Sequence, residues 1–372
     1  CYDFIEKGEN GAKVAAPSYM VDVTRECDVI EEILRIYGYN NVPLPQHMKM
    51  SVNATPKPDP EAIKNGISNF LAANGFVEIM NNSLTKGEYY DKLSTFPAER
   101  CVRIVNPLGQ DRGVMRQTLI RSGLEVIAYN LNRQMSSLRT FEYGSVYQRL
   151  PEKDSQKLEG YEEHQCFTLM MTGAADKSWR TENAKSSYFL LKGYFELLLK
   201  RYGIDIYQLF TDAAPSDIFA EGMVYTLPGS KQTLATLGTV NPALARRFGV
   251  KQPVFALEIN WPALFTLIKR GKVAFSELPR FPEVRRDLAL LLDESVSYAQ
   301  LRALAFKQAR KLLKQVGLFD VYRGDKIPQG KKQYALSFTI QDPERTLTDQ
   351  DTERLMDKLL NAFKSEFGAQ LR

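Results

Sequence analysis

Asp22, Asp28, Glu31 and Glu32 fall within eleven residues of the run VDVTRECDVIEEILRIYGYNNVPLP (residues 21–45), and Arg25 is the one base among them. Oxygen-only donors of this kind suit a hard cation, Mg²⁺ or Ca²⁺, and not zinc. Residues three and four apart share a helix face, so Asp28, Glu31 and Glu32 can direct their oxygens alike. Asp22, on the extended YMVDV run before the helix, can close the group from outside. A second chemistry explains the same spacing. Asp28-Val-Ile-Glu31 matches a capping box, in which a side-chain oxygen and a Glu three residues on satisfy orphan amides. Acids in a first turn also suit the helix dipole, by about 0.3–1 kcal/mol each. Capping leaves Asp22 and Glu32 idle; the spacing alone leaves both readings open.

Other catalytic constellations are missing. The two histidines, His47 and His164, lie near no serine or cysteine elbow, and no Walker loop or GxGxxG follows a strand. The glycines of NPLGQDRG read as a structural turn. The stripe of Tyr188, Phe189, Tyr194 and Phe195 reads as core. On residues alone the chain is a binding or scaffolding protein with one candidate cation site and no catalytic residue.

The elements that must position these residues follow from periodicity and punctuation. The chain has 372 residues, 44% hydrophobic and 25% charged, enough for two or three domains of ordinary globular composition. No apolar run reaches the roughly 18 residues of a membrane helix, and there is no signal peptide. Four scattered cysteines without CxxC spacing argue for a reducing, cytoplasmic setting. The chain starts at Cys1 without an initiator Met and is read as part of something longer. Residues 1–46 form one segment, and residues 47–59 a polar, proline-broken linker. A helix then opens with Asp59 as cap and Pro60 at its first position, closes at Gly75, and carries Ile63, Ile67, Phe70 and Leu71 on one stripe. FVEIMNNSL reads as a strand. Mixed strands and helices without strict alternation over 60–278 predict an α+β module on an antiparallel sheet. Residues 279–372 predict the order βαββαβ, a ferredoxin-like domain. Its helices are SYAQLRALAFKQARKLLKQV and LTDQDTERLMDKLLNAFKSEF, the second started by Thr348 with Asp351 three on. Seventeen Lys and Arg stand there against thirteen Asp and Glu, a net +4 of the chain's +5. A basic excess at one end is compatible with a phosphate backbone as partner.

Three stretches together resemble the β subunit of bacterial phenylalanyl-tRNA synthetases, in order and over essentially the whole chain. They are PSYMVDVTRECDVIEEILRIYGYNNVP, NPLGQDRGVMRQTLIRSGL…FEYGSVYQ, and FPEVRRDLALLLDESV…GLFDVYRGDKIPQGKKQYALSFTIQDPERTLTD. The resemblance implies that Asp22, Asp28, Glu31 and Glu32 bind Mg²⁺ at the contact with an α subunit, with capping as an accessory role. One departure is Met20, where the family often has Arg. The resemblance further implies a class II synthetase-like but catalytically silent module at 60–278, since no GxGxxxR motif is present. ATP and phenylalanine would then be handled on α within an α₂β₂ enzyme, and the family's editing module is absent here. Residues 279–372 resemble the anticodon-binding domain, with tRNA(Phe) as partner and neither DNA nor membrane. Candidate contacts are Arg280, Arg285, Arg286, Lys331, Lys332 and Arg345, with Phe281 and Tyr322 for stacking. A freestanding RNA-binding or scaffold protein reusing these domains is the rival reading, and a Mg²⁺-dependent nucleotide enzyme using the middle module a second.

Overall fold

A computed structural model describes residues 2–51, 58–107, 109–154, 157–175, 184–271, 273–275, 277–309, 311–324 and 327–372. Parts of the expected linker and of the turn DKIPQG lie outside the described residues. The chain divides into two compact units, Cys1–Lys57 and Pro58–Arg372.

The first unit is a hairpin and a helix. β1 (Asp3–Gly8) pairs antiparallel with β2 (Gly11–Ala15), and α1 (Glu26–Tyr37) follows. The capping expectation needs correcting in detail. The N-cap is Arg25, and Asp28 sits three residues inside, where its carboxylate accepts from the amides of Thr24 and Arg25. A carboxylate at that third position reaches back over the first turn, which is the reciprocal half of the box.

The second unit begins with α2 (Pro60–Ala73), capped as its sequence indicates: the Asp59 carboxylate accepts from the Glu61 amide, and Gly75 takes a φ of 79° just past the end. Next come β3 (Val77–Glu78), β4 (Leu84–Thr85), β5 (Val114–Met115), α3 (Ile120–Leu131), β6 (Leu138–Arg149) and β7 (Tyr161–Thr172). α4 (Tyr188–Arg201), β8 (Phe210–Ala213), β9 (Phe219–Thr226), β10 (Thr233–Val240), α5 (Pro242–Arg247), β11 (Val254–Asn260) and α6 (Trp261–Arg270) complete this part. Seven strands form one sheet in the order β3-β6-β7-β11-β10-β9-β8, antiparallel except for β3 beside β6. Alternation along the central strands covers both faces. Phe167, Leu169, Leu257 and Ile259 pack with α2, α4 and α6 on one side; Met170 and Ala256 pack with α3 and α5 on the other. FVEIMNNSL is less regular than expected, keeping only the short β3 and β4. α6 follows β11 directly, because the Asn260 side chain accepts from the Ala263 amide and Pro262 suits a first turn.

The remaining elements are β12 (Val284–Asp293), α7 (Tyr298–Ala309), β13 (Leu313–Tyr322), β14 (Lys331–Ile340), α8 (Asp349–Phe367) and β15 (Gln370–Leu371). Their antiparallel sheet runs β13-β14-β12-β15, the split βαβ arrangement. α7 is shorter than expected. Leu313 and Val316, read from sequence as helical, enter β13, pair with Ile340 and Phe338, and are buried. The two helices supply Leu301, Ala305, Leu359 and Phe363 to one core. Among the described residues no helix is long and apolar enough to cross a membrane.

Candidate nucleic-acid interface

The ferredoxin-like sheet has two unlike faces, and the register assigns each candidate to one of them. Cross-strand partners point to the same side. The row Arg286, Phe338, Val316 and the pair Leu292, Lys332 lie on the helix-covered side, where Phe338 is 0% and Leu292 1% exposed. The rows Arg285, Thr339, Gln315 and Leu291, Gln333, Tyr322, together with the pair Asp293, Lys331, lie on the opposite face, to which neither helix contributes core.

This separates neighbours that sequence reasoning grouped together. Arg285, Tyr322 and Lys331 share the open face. Tyr322 is 40% exposed, and Arg285 pairs with Asp287 at 3.1 Å. Lys332 is a correction: it is 4% exposed, its ammonium donates to the Glu294 carbonyl and lies 4.6 Å from the Tyr334 ring. It is a core residue with a satisfied charge, unavailable to a phosphate. Arg286 reaches the rim of the helix side and pairs with Asp349 at 3.4 Å. Arg345 is held by Asp351 at 2.7 Å beside the α8 cap. Its guanidinium, with the Thr348 hydroxyl and amide, holds the Asp351 carboxyl well below the usual carboxylate range. Arg280 is exposed and 3.9 Å from Glu277, and Phe281 is half-buried. Sequence reasoning missed Phe319, which is 56% exposed with the Arg285 guanidinium 5.7 Å from its ring. It also missed Arg372, which donates to Gln333 on the open face. Alternation from the buried Leu290 and Leu336 was the signal that separates 331 from 332; a register shift between Leu318 and Asp320 hid Phe319.

The acidic cluster is differently arranged from the expectation. Asp28 holds the Arg25 guanidinium at 2.9 Å and Glu32 holds Arg35 at 2.9 Å. The Arg25 side chain, with two backbone amides, pulls the Asp28 carboxyl well below its usual range. Burial raises the Tyr2 hydroxyl pKa, the field of Glu32, Asp22 and Asp28 adds to it, and that hydroxyl has no hydrogen-bond partner. Among the described residues, however, no three His, Cys, Asp or Glu side chains are grouped so as to hold a metal. The donor set fits a hard cation in chemistry but not in this arrangement, where guanidinium groups take Asp28 and Glu32.

A group of buried, mutually bonded polar side chains lies beneath the seven-stranded sheet. Arg116 meets Glu142 at 2.8 Å with both side chains buried, and Asn81 donates to the same carboxylate. Glu258 accepts from the Thr118 hydroxyl and the Leu119 amide, while burial pushes its carboxyl up. A Cβ on Gly123 would meet the Met170 sulfur, so this side of the sheet is packed tightly against α3.

Three family models account for most of the chain: tRNA synthetase B5 domain at residues 1–39, phenylalanyl tRNA synthetase beta chain CLM domain at 45–261, and ferredoxin-fold anticodon binding domain at 279–372. Sheet, core and end domain therefore define an aminoacyl-tRNA synthetase chain of mixed α and β architecture. The chain belongs to the phenylalanyl-tRNA synthetase β chain family. It is similar to the phenylalanine–tRNA ligase beta subunit of Bacteroides fragilis, 40% identical and covering 99% of this chain and 45% of that protein. The corresponding subunit of Porphyromonas gingivalis is 41% identical, covering 99% and 45%; that of Clostridium acetobutylicum is 30% identical, covering 97% and 44%. The chain thus spans less than half the length of the curated relatives it matches.

Proposed function

We propose that this chain is the tRNA-gripping and subunit-docking part of a cytoplasmic phenylalanine–tRNA ligase. In this reading an α subunit attaches phenylalanine to tRNA(Phe) using ATP and Mg²⁺ within an α₂β₂ assembly, and this chain positions the RNA. The observation that carries it is the open face of the ferredoxin-like sheet. Arg285, Lys331 and Arg372 supply cations there, and Tyr322 and Phe319 supply rings, the combination single-stranded bases and phosphates require. Arg116 and Glu142 bind one another, and Glu258 holds the Thr118 hydroxyl and the Leu119 amide, which supports a module that activates no amino acid by itself.

Deleting residues 279–372 tests the reading. It should lower tRNA affinity and flatten its salt dependence, the log–log slope shrinking by about 0.7 for each phosphate no longer neutralised. Phenylalanine-dependent pyrophosphate exchange by the α-containing complex should persist. If exchange and tRNA binding fall together, the domain is structural and the assignment fails. Co-purification with an α subunit separates the ligase reading from a freestanding RNA-binding scaffold. The Mg²⁺ reading of Asp22, Asp28, Glu31 and Glu32 rests on their all-oxygen chemistry and on the unpartnered Tyr2 hydroxyl in the field of Glu32, Asp22 and Asp28. It requires Arg25 and Arg35 to release their carboxylates. Mg²⁺ titration of a Glu31→Gln, Glu32→Gln variant, with and without α, checks it.

A further inference from the structure

Arg121, in the first turn of α3, is 2% exposed, and none of its three guanidinium nitrogens has a hydrogen-bond partner. The rings of Tyr90, Tyr89 and Phe248 stand 5.3, 5.6 and 5.9 Å from its guanidinium carbon. Rings attract a cation but offer no acceptor oxygen, and a buried charge without hydrogen bonds is costly. The carboxylates around it are committed elsewhere. Asp217 accepts from the amides and hydroxyls of Ser94 and Thr95, Glu125 from the Tyr89 hydroxyl, Glu142 from Arg116, and Glu258 from Thr118 and Leu119. Burial pushes the guanidinium down to about 10, which leaves it charged at neutral pH. It is a held cation whose donors are all unspent.

Arg121 also lines a pocket of about 340 Å³, with Lys86 and Arg112 as further cations and Asn82, Thr85 and Ser122 as neutral polar groups. Asp111 and Glu125 are the opposing carboxylates of that wall, and the charge of Arg116 there is balanced by Glu142. The 12-residue α3 starts at the same wall, where the Thr118 hydroxyl accepts from the Ile120 amide and the Glu258 carboxylate from the Leu119 amide. We propose that this pocket binds a phosphate-class oxyanion, with Arg121 as its buried anchor and Lys86 and Arg112 as its rim. A planar five-donor fork joined by two further cations suits an anion with several oxygens better than a single carboxylate.

The test uses the 372-residue chain and inorganic phosphate. Sodium phosphate, balanced against sodium chloride at constant ionic strength, should raise the Tm by a saturable few degrees, and sodium acetate should not. Arg121→Met should weaken phosphate binding at least tenfold by calorimetry, with the Tm in chloride unchanged or raised, because an unpaired buried charge has been removed. Lys86→Ala, a rim change outside the core, should weaken binding several-fold and leave that Tm unchanged; it decides the matter if Arg121→Met does not fold. Phosphate no better than chloride overturns the proposal, as does equal phosphate affinity in the wild type and Lys86→Ala. An acetate response matching that of phosphate overturns the phosphate assignment.

Discussion

Lys331 and Lys332 differ by one position and by everything that decides what a lysine does. One faces the open side of the sheet; the other is buried, with its ammonium on a carbonyl and a ring. Lys331→Ala should therefore weaken binding of many tRNAs alike and reduce the salt slope by about 0.7, with the Tm unchanged. Lys332→Ala should instead lower the Tm by several degrees, leaving the carbonyl of Glu294 unpaired and a gap beside Tyr334. Filter binding across salt concentrations and a thermal melt separate the two, and the opposite pattern would reverse their assignment. Glu142→Gln breaks the buried pair with Arg116 and should cost about 3–5 kcal/mol in a urea titration, since the guanidinium is then left without its counter-charge. Much of this was open to period-two alternation, which separates 331 from 332 and 285 from 286. What alternation misses is a residue at a bulge, and Phe319 sits beside a register shift. The arrangement of the acidic cluster departs from expectation for a local reason: Arg25 and Arg35 stand three residues from Asp28 and Glu32 and reach them directly.

At the scale of elements, punctuation was the most readable signal. Asp59 with Pro60, and Thr348 with Asp351, mark helix starts that the structure reproduces with the side-chain bonds such residues make. Gly368 closes α8 at a φ of 61°, where a Cβ would be strained. Thr348→Ala should cost about 1 kcal/mol. The same cap is sensitive to acid. The Asp351 carboxyl titrates lower when folded than when unfolded, so its contribution is complete above the ordinary carboxylate pKa of about 3.9 and is lost as pH falls below it. Asp351→Asn should reduce the steepness of that acid-side loss, measured as Tm between pH 5 and pH 3; an unchanged slope would rule the cap out as its source. Helix ends were less readable where one apolar period runs into another. Leu312, Leu313 and Val316 continue the helical stripe of α7 on paper. Pairing with β14 offers Leu313 and Val316 fuller burial, and the strand wins. α5 and α6 escape a periodicity reading because each is short and follows a strong strand, although Asn241-Pro242 and Asn260-Trp261-Pro262 carry the cap signals.

Within the second compact unit, Arg302 of α7 joins the ferredoxin-like domain to the synthetase-like part. Its guanidinium is 2.9 Å from the Asp205 carboxylate and 3.9 Å from the Tyr207 ring, and Tyr207 stands edge-on to Tyr298 at 6.0 Å. Around them lies a pocket of about 490 Å³ lined from both sides, by Glu196 and Lys200 on one and Lys314 and Val316 on the other. None of this is legible in sequence, because Asp205 and Arg302 are 97 residues apart and each reads as an ordinary surface charge. A partly exposed pair of this kind is worth about 0.2–1 kcal/mol, and a ring contact roughly as much again. That is too little to hold the fold together and enough to bias the orientation of one domain on another. Arg302→Ala should leave the Tm within about 2 °C of the parent and leave phenylalanine-dependent pyrophosphate exchange by the α-containing complex intact. On the proposed function it should lower kcat/KM for tRNA in aminoacylation several-fold, through KM, because the ferredoxin-like domain then samples orientations that cannot meet a tRNA together with the rest of the chain. Arg302→Lys keeps the charge but loses the planar stack on Tyr207, and should fall between the two. Unchanged kcat/KM for tRNA in Arg302→Ala would mean that orientation is held elsewhere. Exchange falling in step with it would mean that the residue supports the fold and not the joint.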